Sequence, residues 1–109
     1  VEDPFMQKLV ELITENAQDP ELSMEVLYNK LGMSRTQFFR KIKAISDLSP
    51  NKLILNIRMK MAVEKFQSGG MTIAEVAYEV GFSDPAYFSK VFKSVFNQTP
   101  TEYIKNIGK

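Results

Sequence analysis

The chain has 109 residues, 44% of them apolar and 25% charged, which suits one compact domain and leaves little material for a second large core. It contains no Cys and no His, so a disulfide framework, a thiolate metal site and the commonest proton-transfer side chain are all excluded. The net charge of +1 conceals a split: residues 1–33 are acidic (−5), residues 34–66 are basic (+6) and residues 67–109 are balanced. Asp, Glu, Lys and Ser form no paired constellation, so neither an enzyme nor a metal or cofactor site is expected. No apolar run reaches the roughly 20 residues of a membrane span. The sequence begins at Val1 rather than at Met and is expected to be a piece of a longer polypeptide.

Helix start signals recur along the chain. Asp3-Pro4 places a cap before a proline at the first helical position, and Phe5, Leu9, Leu12 and Ile13 form an apolar stripe to about Glu15. Ser23 opens a second helix, with Met24, Leu27, Tyr28 and Leu31 on one face and Gly32 as its stop. Ser34 and Gln37 form a capping box for a third, whose buried stripe is Phe38, Ile42 and Ile45. Ser49-Pro50 starts the longest helix, apolar on more than one side, and Ser68-Gly69-Gly70 ends it. Thr72 and Glu75 box a fifth helix, stopped by Gly81. Asp84-Pro85 opens a sixth with Phe88, Val91, Phe92 and Val95 inward, and Thr99-Pro100 opens a last short one with Tyr103, Ile104 and Ile107. No stretch alternates with the period of a strand. The pattern predicts an all-α protein of about seven helices.

An internal duplication organises these elements. At a spacing of 49, Leu22-Ser23 matches Met71-Thr72, and Gly32-Met33-Ser34 matches Gly81-Phe82-Ser83. The offset then becomes 50, so that Phe38 matches Phe88, Arg40 matches Lys90, Lys43 matches Lys93 and Ser49-Pro50 matches Thr99-Pro100. Each copy reads as a capped helix, a glycine turn and a longer helix, a helix-turn-helix whose second member is free to enter a major groove. Removing the inward residues leaves Arg35, Thr36, Gln37, Phe39, Arg40 and Lys43 on the first outer face, and Ala86, Tyr87, Ser89, Lys90 and Lys93 on the second. Both sets mix cations with small or polar donors, which suits phosphates and base edges. Ser34 and Ser83 are expected to be helix caps first, with phosphate contact as a compatible second role.

These residues resemble the DNA-binding domain of the AraC/XylS family of bacterial transcription regulators. The most specific stretch is Ile73-Ala74-Glu75-Val76-Ala77, then Gly81-Phe82-Ser83-Asp84-Pro85 and Tyr87-Phe88-Ser89-Lys90-Val91-Phe92-Lys93. Thr99-Pro100 with Tyr103, and Arg58 with Ala62, extend the likeness. Gly32-Met33-Ser34-Arg35 and Phe39-Arg40-Lys41-Ile42-Lys43 resemble the version at the C-terminus of hybrid two-component sensors.

The resemblance implies an AraC-type domain over 1–109, with a first helix-turn-helix unit at 22–48, a linker helix at 49–68 and a second unit at 71–98. It implies sequence-specific binding of double-stranded DNA, with both second helices in successive major-groove segments. A helix from Pro50 to Phe66 is about 25 Å long; with its flanking elements it suits readers about 34 Å apart, and any misfit bends the DNA at about 1–6 kcal/mol. The base-reading positions fall on Thr36, Phe39 and Arg40, and on Ala86, Tyr87 and Lys90. Ala86 has no hydrogen-bonding group, and Lys90 lacks the guanidinium fork, so the first unit is expected to discriminate more. Further implied are a cytoplasmic location, RNA polymerase as a partner, covalently linked sensor or dimerisation domains, and no membrane contact by this segment. Arg58 is expected in a structural ion pair. The rival reading is a helical protein-interaction module that docks on RNA polymerase or a sensor domain, unaffected by loss of Arg40 and Lys90.

Overall fold

The computed structural model describes residues 3–19 and 21–108. Among them are seven α-helices and no strand: α1 (Pro4–Glu15), α2 (Met24–Lys30), α3 (Arg35–Ile45), α4 (Pro50–Ser68), α5 (Ile73–Glu79), α6 (Pro85–Phe96) and α7 (Pro100–Ile107). Their starts follow local chemistry. Asp3 Oδ1 accepts from the Phe5 N–H at 2.8 Å, and the Ser23 hydroxyl accepts from Val26 N–H at 3.2 Å. The Ser49 hydroxyl takes Lys52 N–H at 3.3 Å. Thr99 and Glu102 close a reciprocal capping box on α7. Each contact satisfies a donor that the helix cannot pair internally.

The chain divides into two compact units, the first running to Ile57 and the second from Arg58, with the division inside α4. In the first unit Leu9, Leu12, Ile13, Leu27, Phe38, Ile42 and Leu53 are buried. Phe38 stands at its centre, with the rings of Phe5 and Tyr28 at 6.1 and 6.0 Å. Its apolar periodicity is helical on α1 and α3, so one face of each is committed to this core.

The second unit is more aromatic. Met59, Ala62 and Phe66 of α4 are buried with Val76, Ala77, Phe82, Phe88, Val91 and Phe92. The Phe92 ring lies 4.6 Å from Phe96, 5.7 Å from Tyr103 and 5.8 Å from Phe66, tilted or edge-on rather than parallel. Such geometries suit the ring quadrupole. Ile45 and Val95, expected inward, are only half-buried, because each sits in the last turn of its helix, beyond the packed centre. Ile107 is 42% exposed.

The duplication is visible in the backbone. Helices α2 and α5 have the same seven-residue length, displaced by 49. After α2, Gly32 N–H donates to Asn29 C=O at 3.0 Å and Met33 N–H to Tyr28 C=O at 2.9 Å. After α5, Gly81 N–H donates to Tyr78 C=O at 3.1 Å and Phe82 N–H to Ala77 C=O at 2.8 Å. Both are Schellman turns, which need a left-handed residue after the cap. Gly32 at φ 68° and Gly81 at φ 96° provide it. The copies diverge at the far end: α3 stops at Ser46 in extended backbone, whereas α6 stops at Asn97 with φ 60°.

Candidate nucleic-acid interface

The Schellman turns lead into α3 and α6, which begin three residues after Gly32 and four residues after Gly81. At α3, Gln37 N–H donates to the Ser34 hydroxyl at 3.1 Å, and Ser34 N–H donates to Gln37 Oε1 at 2.9 Å. Gln37 is therefore a capping partner, with its amide oxygen already engaged. At α6 the expectation for Ser83 is corrected. The N-cap is Asp84, whose Oδ1 accepts from Ala86 N–H at 3.0 Å. Pro85 requires this, because the residue before a proline is driven out of helical backbone. Ser83 lies one position outside the helix and is exposed. The two helix starts consequently differ in charge: a neutral hydroxyl caps α3 and a carboxylate caps α6, where it opposes an incoming phosphate.

From these starts the helical repeat sets out the outer faces. At about 100° per residue, Arg35, Thr36, Phe39, Arg40 and Lys43 share an arc of about 140° on α3, separate from Phe38 and Ile42. Arg35, Thr36, Gln37, Arg40 and Lys43 are exposed and Phe39 is half-buried. Ala86, Tyr87, Lys90 and Lys93 are exposed on α6, and Ser89 is half-buried. Tyr87 is 56% exposed, and its ring stands 5.9 Å from that of Phe82, which braces it. Of the sequence-derived positions, Arg35, Thr36, Arg40, Lys43, Ala86, Tyr87, Lys90 and Lys93 are thus exposed on one helix or the other, Phe39 and Ser89 are half-buried, and Ser34 and Ser83 precede the helices.

Neither α3 nor α6 carries an acidic side chain, while α3 has four cations and α6 two. Among the described residues, the ion pairs are Lys41–Asp3 at 3.7 Å and Lys65–Glu79 at 3.0 Å. Arg40, Lys43 and Lys90 thus make no ion pair among the described residues. Lys93 differs from Lys43: it helps to keep the Glu102 carboxyl below its ordinary value of 4.5, after the dominant hydrogen bonds from Thr99. Glu75 is likewise held low by the Thr72 backbone N–H and then its hydroxyl, which makes it a cap rather than a reactive acid. Arg35 lies over the Phe39 ring, its guanidinium carbon 4.7 Å from the ring centroid.

Arg58, expected in a structural ion pair, has a backbone carbonyl as a partner. Its Nη1 donates to Val80 C=O at 2.8 Å, at the end of α5 just before the second turn. Burial pushes its pKa down from the ordinary arginine value. Sequence reasoning also missed Lys41, held by Asp3, and an open hollow of about 550 Å³ lined by Gly32, Met33, Gln37, Arg40, Lys41 and Ala44. Among the described residues no cluster of acidic side chains could hold a metal ion, and no helix is long and apolar enough to cross a membrane.

The pattern of two glycine turns, each followed by a cation-bearing helix, has counterparts elsewhere. A family model described as a helix-turn-helix domain matches residues 27–106. The chain belongs to the AraC/XylS family of helix-turn-helix DNA-binding domains. Among AraC-type relatives, the Msm operon regulatory protein of Streptococcus mutans is 32% identical over 98 residues, covering 90% of this chain and 35% of that protein. Histidine kinase P4 of Formosa agariphila is 34% identical over 103 residues, covering 94% of this chain but only 8% of the kinase. A transcriptional regulator with an AraC-type DNA-binding domain from Chromobacterium violaceum superposes with a TM-score of 0.83 at 29% identity, over 94% of this chain and 90% of that one. The family is one of DNA-binding regulators and not of enzymes. The chain spans about a third or less of these two curated relatives.

Proposed function

We propose that this AraC-type domain reads a specific sequence in double-stranded DNA and is the output end of a bacterial transcription regulator. The units at 22–48 and 71–98, joined by the helix at 49–68, are the two readers, and α3 and α6 enter successive major-groove segments. The observation that carries this reading is the repeated turn: the same pair of backbone bonds in both copies starts a helix with an exposed, acid-free cationic face. Thr36 and Arg40 supply base contacts in the first unit, with Lys43 on phosphate. Ala86, Tyr87 and Lys90 face the second segment more weakly, since alanine offers only an apolar surface and lysine no fork. Asp84 at the start of α6 further reduces phosphate affinity there.

The likeness to a histidine kinase supports placement at the output end of a hybrid two-component sensor, with sensor and dimerisation functions in linked domains and RNA polymerase as the downstream partner. Such a segment works in the cytoplasm, where the chromosome is.

The test is selection of bound duplexes from a random-sequence pool, followed by mobility shifts on the winning site. Two short motifs about one helical turn apart are expected. The Arg40→Ala/Lys90→Ala double variant should lose at least about 10-fold in affinity, and binding should weaken with log salt at about 0.9 per phosphate neutralised. A double variant that binds as tightly as the parent overturns the reading in favour of a protein-docking module.

A further inference from the structure

Arg35 is the first residue of α3, and Phe39 follows one turn later on the same outer arc. The 4.7 Å separation of the guanidinium carbon from the ring centroid lies well inside the range of a cation–π contact. Phe39 is itself held from behind, its ring 6.0 Å from the fully buried Phe38. A chain of contacts therefore runs from the core of the first unit, through Phe39, to an exposed guanidinium. No acidic side chain in α3 accounts for this cation, and a positive charge in the first turn of a helix opposes the macrodipole. Neither ion pairing within α3 nor the macrodipole accounts for a cation here; its contact is with the Phe39 ring, which holds it in place.

We propose that Arg35 reads a guanine through its O6 and N7 edge, and that Phe39 is the positioning residue that fixes the guanidinium plane for it. The inference rests on the DNA-reading function proposed above and names the base that its first unit takes. Contact with the ring restricts a flexible side chain while leaving the in-plane N–H donors at the edge available, and two parallel donors match the two acceptors of guanine. A phosphate takes either a bidentate arginine or the point charge of a lysine, so it depends less on a fixed plane than the guanine edge does. Residues at the start of a recognition helix are those that reach base edges. Phe39, placed above among the base-reading positions, is thereby reassigned: with its ring engaged by Arg35 it acts through that residue.

The experiment is parallel selection from a random-sequence duplex pool with the parent chain, Arg35→Lys, Phe39→Leu and Phe39→Trp. The selected site is then remade with 7-deazaguanine at the guanine in question. Arg35→Lys should lose about 5- to 150-fold of preference at one guanine position. Phe39→Leu should lose about 2- to 5-fold at that same position, whereas Phe39→Trp should keep it. The deaza base should weaken the parent and leave Arg35→Lys unchanged. A uniform loss for Arg35→Lys with every base preference intact means a phosphate contact and overturns the proposal. So does a Phe39→Leu change at a different position, or a loss in both Phe39 variants that merely follows their thermal stability. A parent chain that selects no motif defeats the DNA-reading function as well; a clear motif that ignores Arg35 defeats only this inference.

Discussion

Gly32 offers the sharpest test of the turn that leads into α3. Its φ of 68° lies in the left-handed region, and a Cβ built there meets no atom within 4 Å. Gly32→Ala therefore introduces no collision, and its effect is confined to the backbone. Left-handed geometry costs a non-glycine residue about 1–2 kcal/mol. Alanine also restricts the unfolded chain, which returns about 0.4–1 kcal/mol. The net expectation is a loss of about 1 kcal/mol. Gly32→Asn should lose less, because asparagine enters this region more readily. Gly108 is the control: it is right-handed in its backbone (φ −76°), and an added Cβ finds only ordinary contacts at 3.5 and 3.7 Å. Gly108→Ala should be neutral or slightly stabilising. Urea titration followed by circular dichroism measures all three. A Gly32→Ala chain as stable as the parent, or a Gly32→Asn chain worse than Gly32→Ala, would refute the assignment of the turn to backbone handedness.

Other expectations follow from the caps and the core. Glu75 and Glu102 are both held below 4.5, so the stability they add is present above that unfolded-state value and disappears as pH falls through their lower folded-state values. Gln37 shows that an amide can play the same part, so Glu75→Gln/Glu102→Gln should flatten the acid limb of a thermal-melt series. Arg58→Met should cost about 1.5–3 kcal/mol by leaving the Val80 carbonyl without its charged donor, read as a lower urea midpoint. Phe88→Ala should cost about 3–5 kcal/mol through the cavity it opens, while Ala86→Ser, two residues away and exposed, should stay within about 0.5 kcal/mol.

Much of this was legible because caps and glycines are local. Ser23, Ser34, Thr72 and Thr99 announce helices by chemistry that involves only the next three residues, and the helix boundaries follow. The duplication then identified the outer faces, since one register applied to both copies. Ser83 failed as a cap although the signal was present: the offset slips by one just there, and Pro85 obliges its immediate neighbour Asp84 to take the position. The partners of Arg58, and the placement of Arg35 over Phe39, depend on which rotamer a long side chain adopts among several neighbours. No sequence spacing decides that. The left-handed Asn97 is similar, since Asp47 in the first copy could have served the same turn and α3 stops differently.

The two Schellman turns and their caps satisfy their polar groups with backbone and with side chains at the helix ends. The outward members of the reading faces, such as Thr36, Arg40, Lys43, Ala86 and Lys90, are consequently spared any share in holding the helices together among the described residues. If they read DNA as proposed, substituting them re-addresses the domain without unsettling its frame. On that proposal a lineage of such domains acquires new operators by a few changes at these positions, and an engineer can exchange them between copies while leaving every turn untouched.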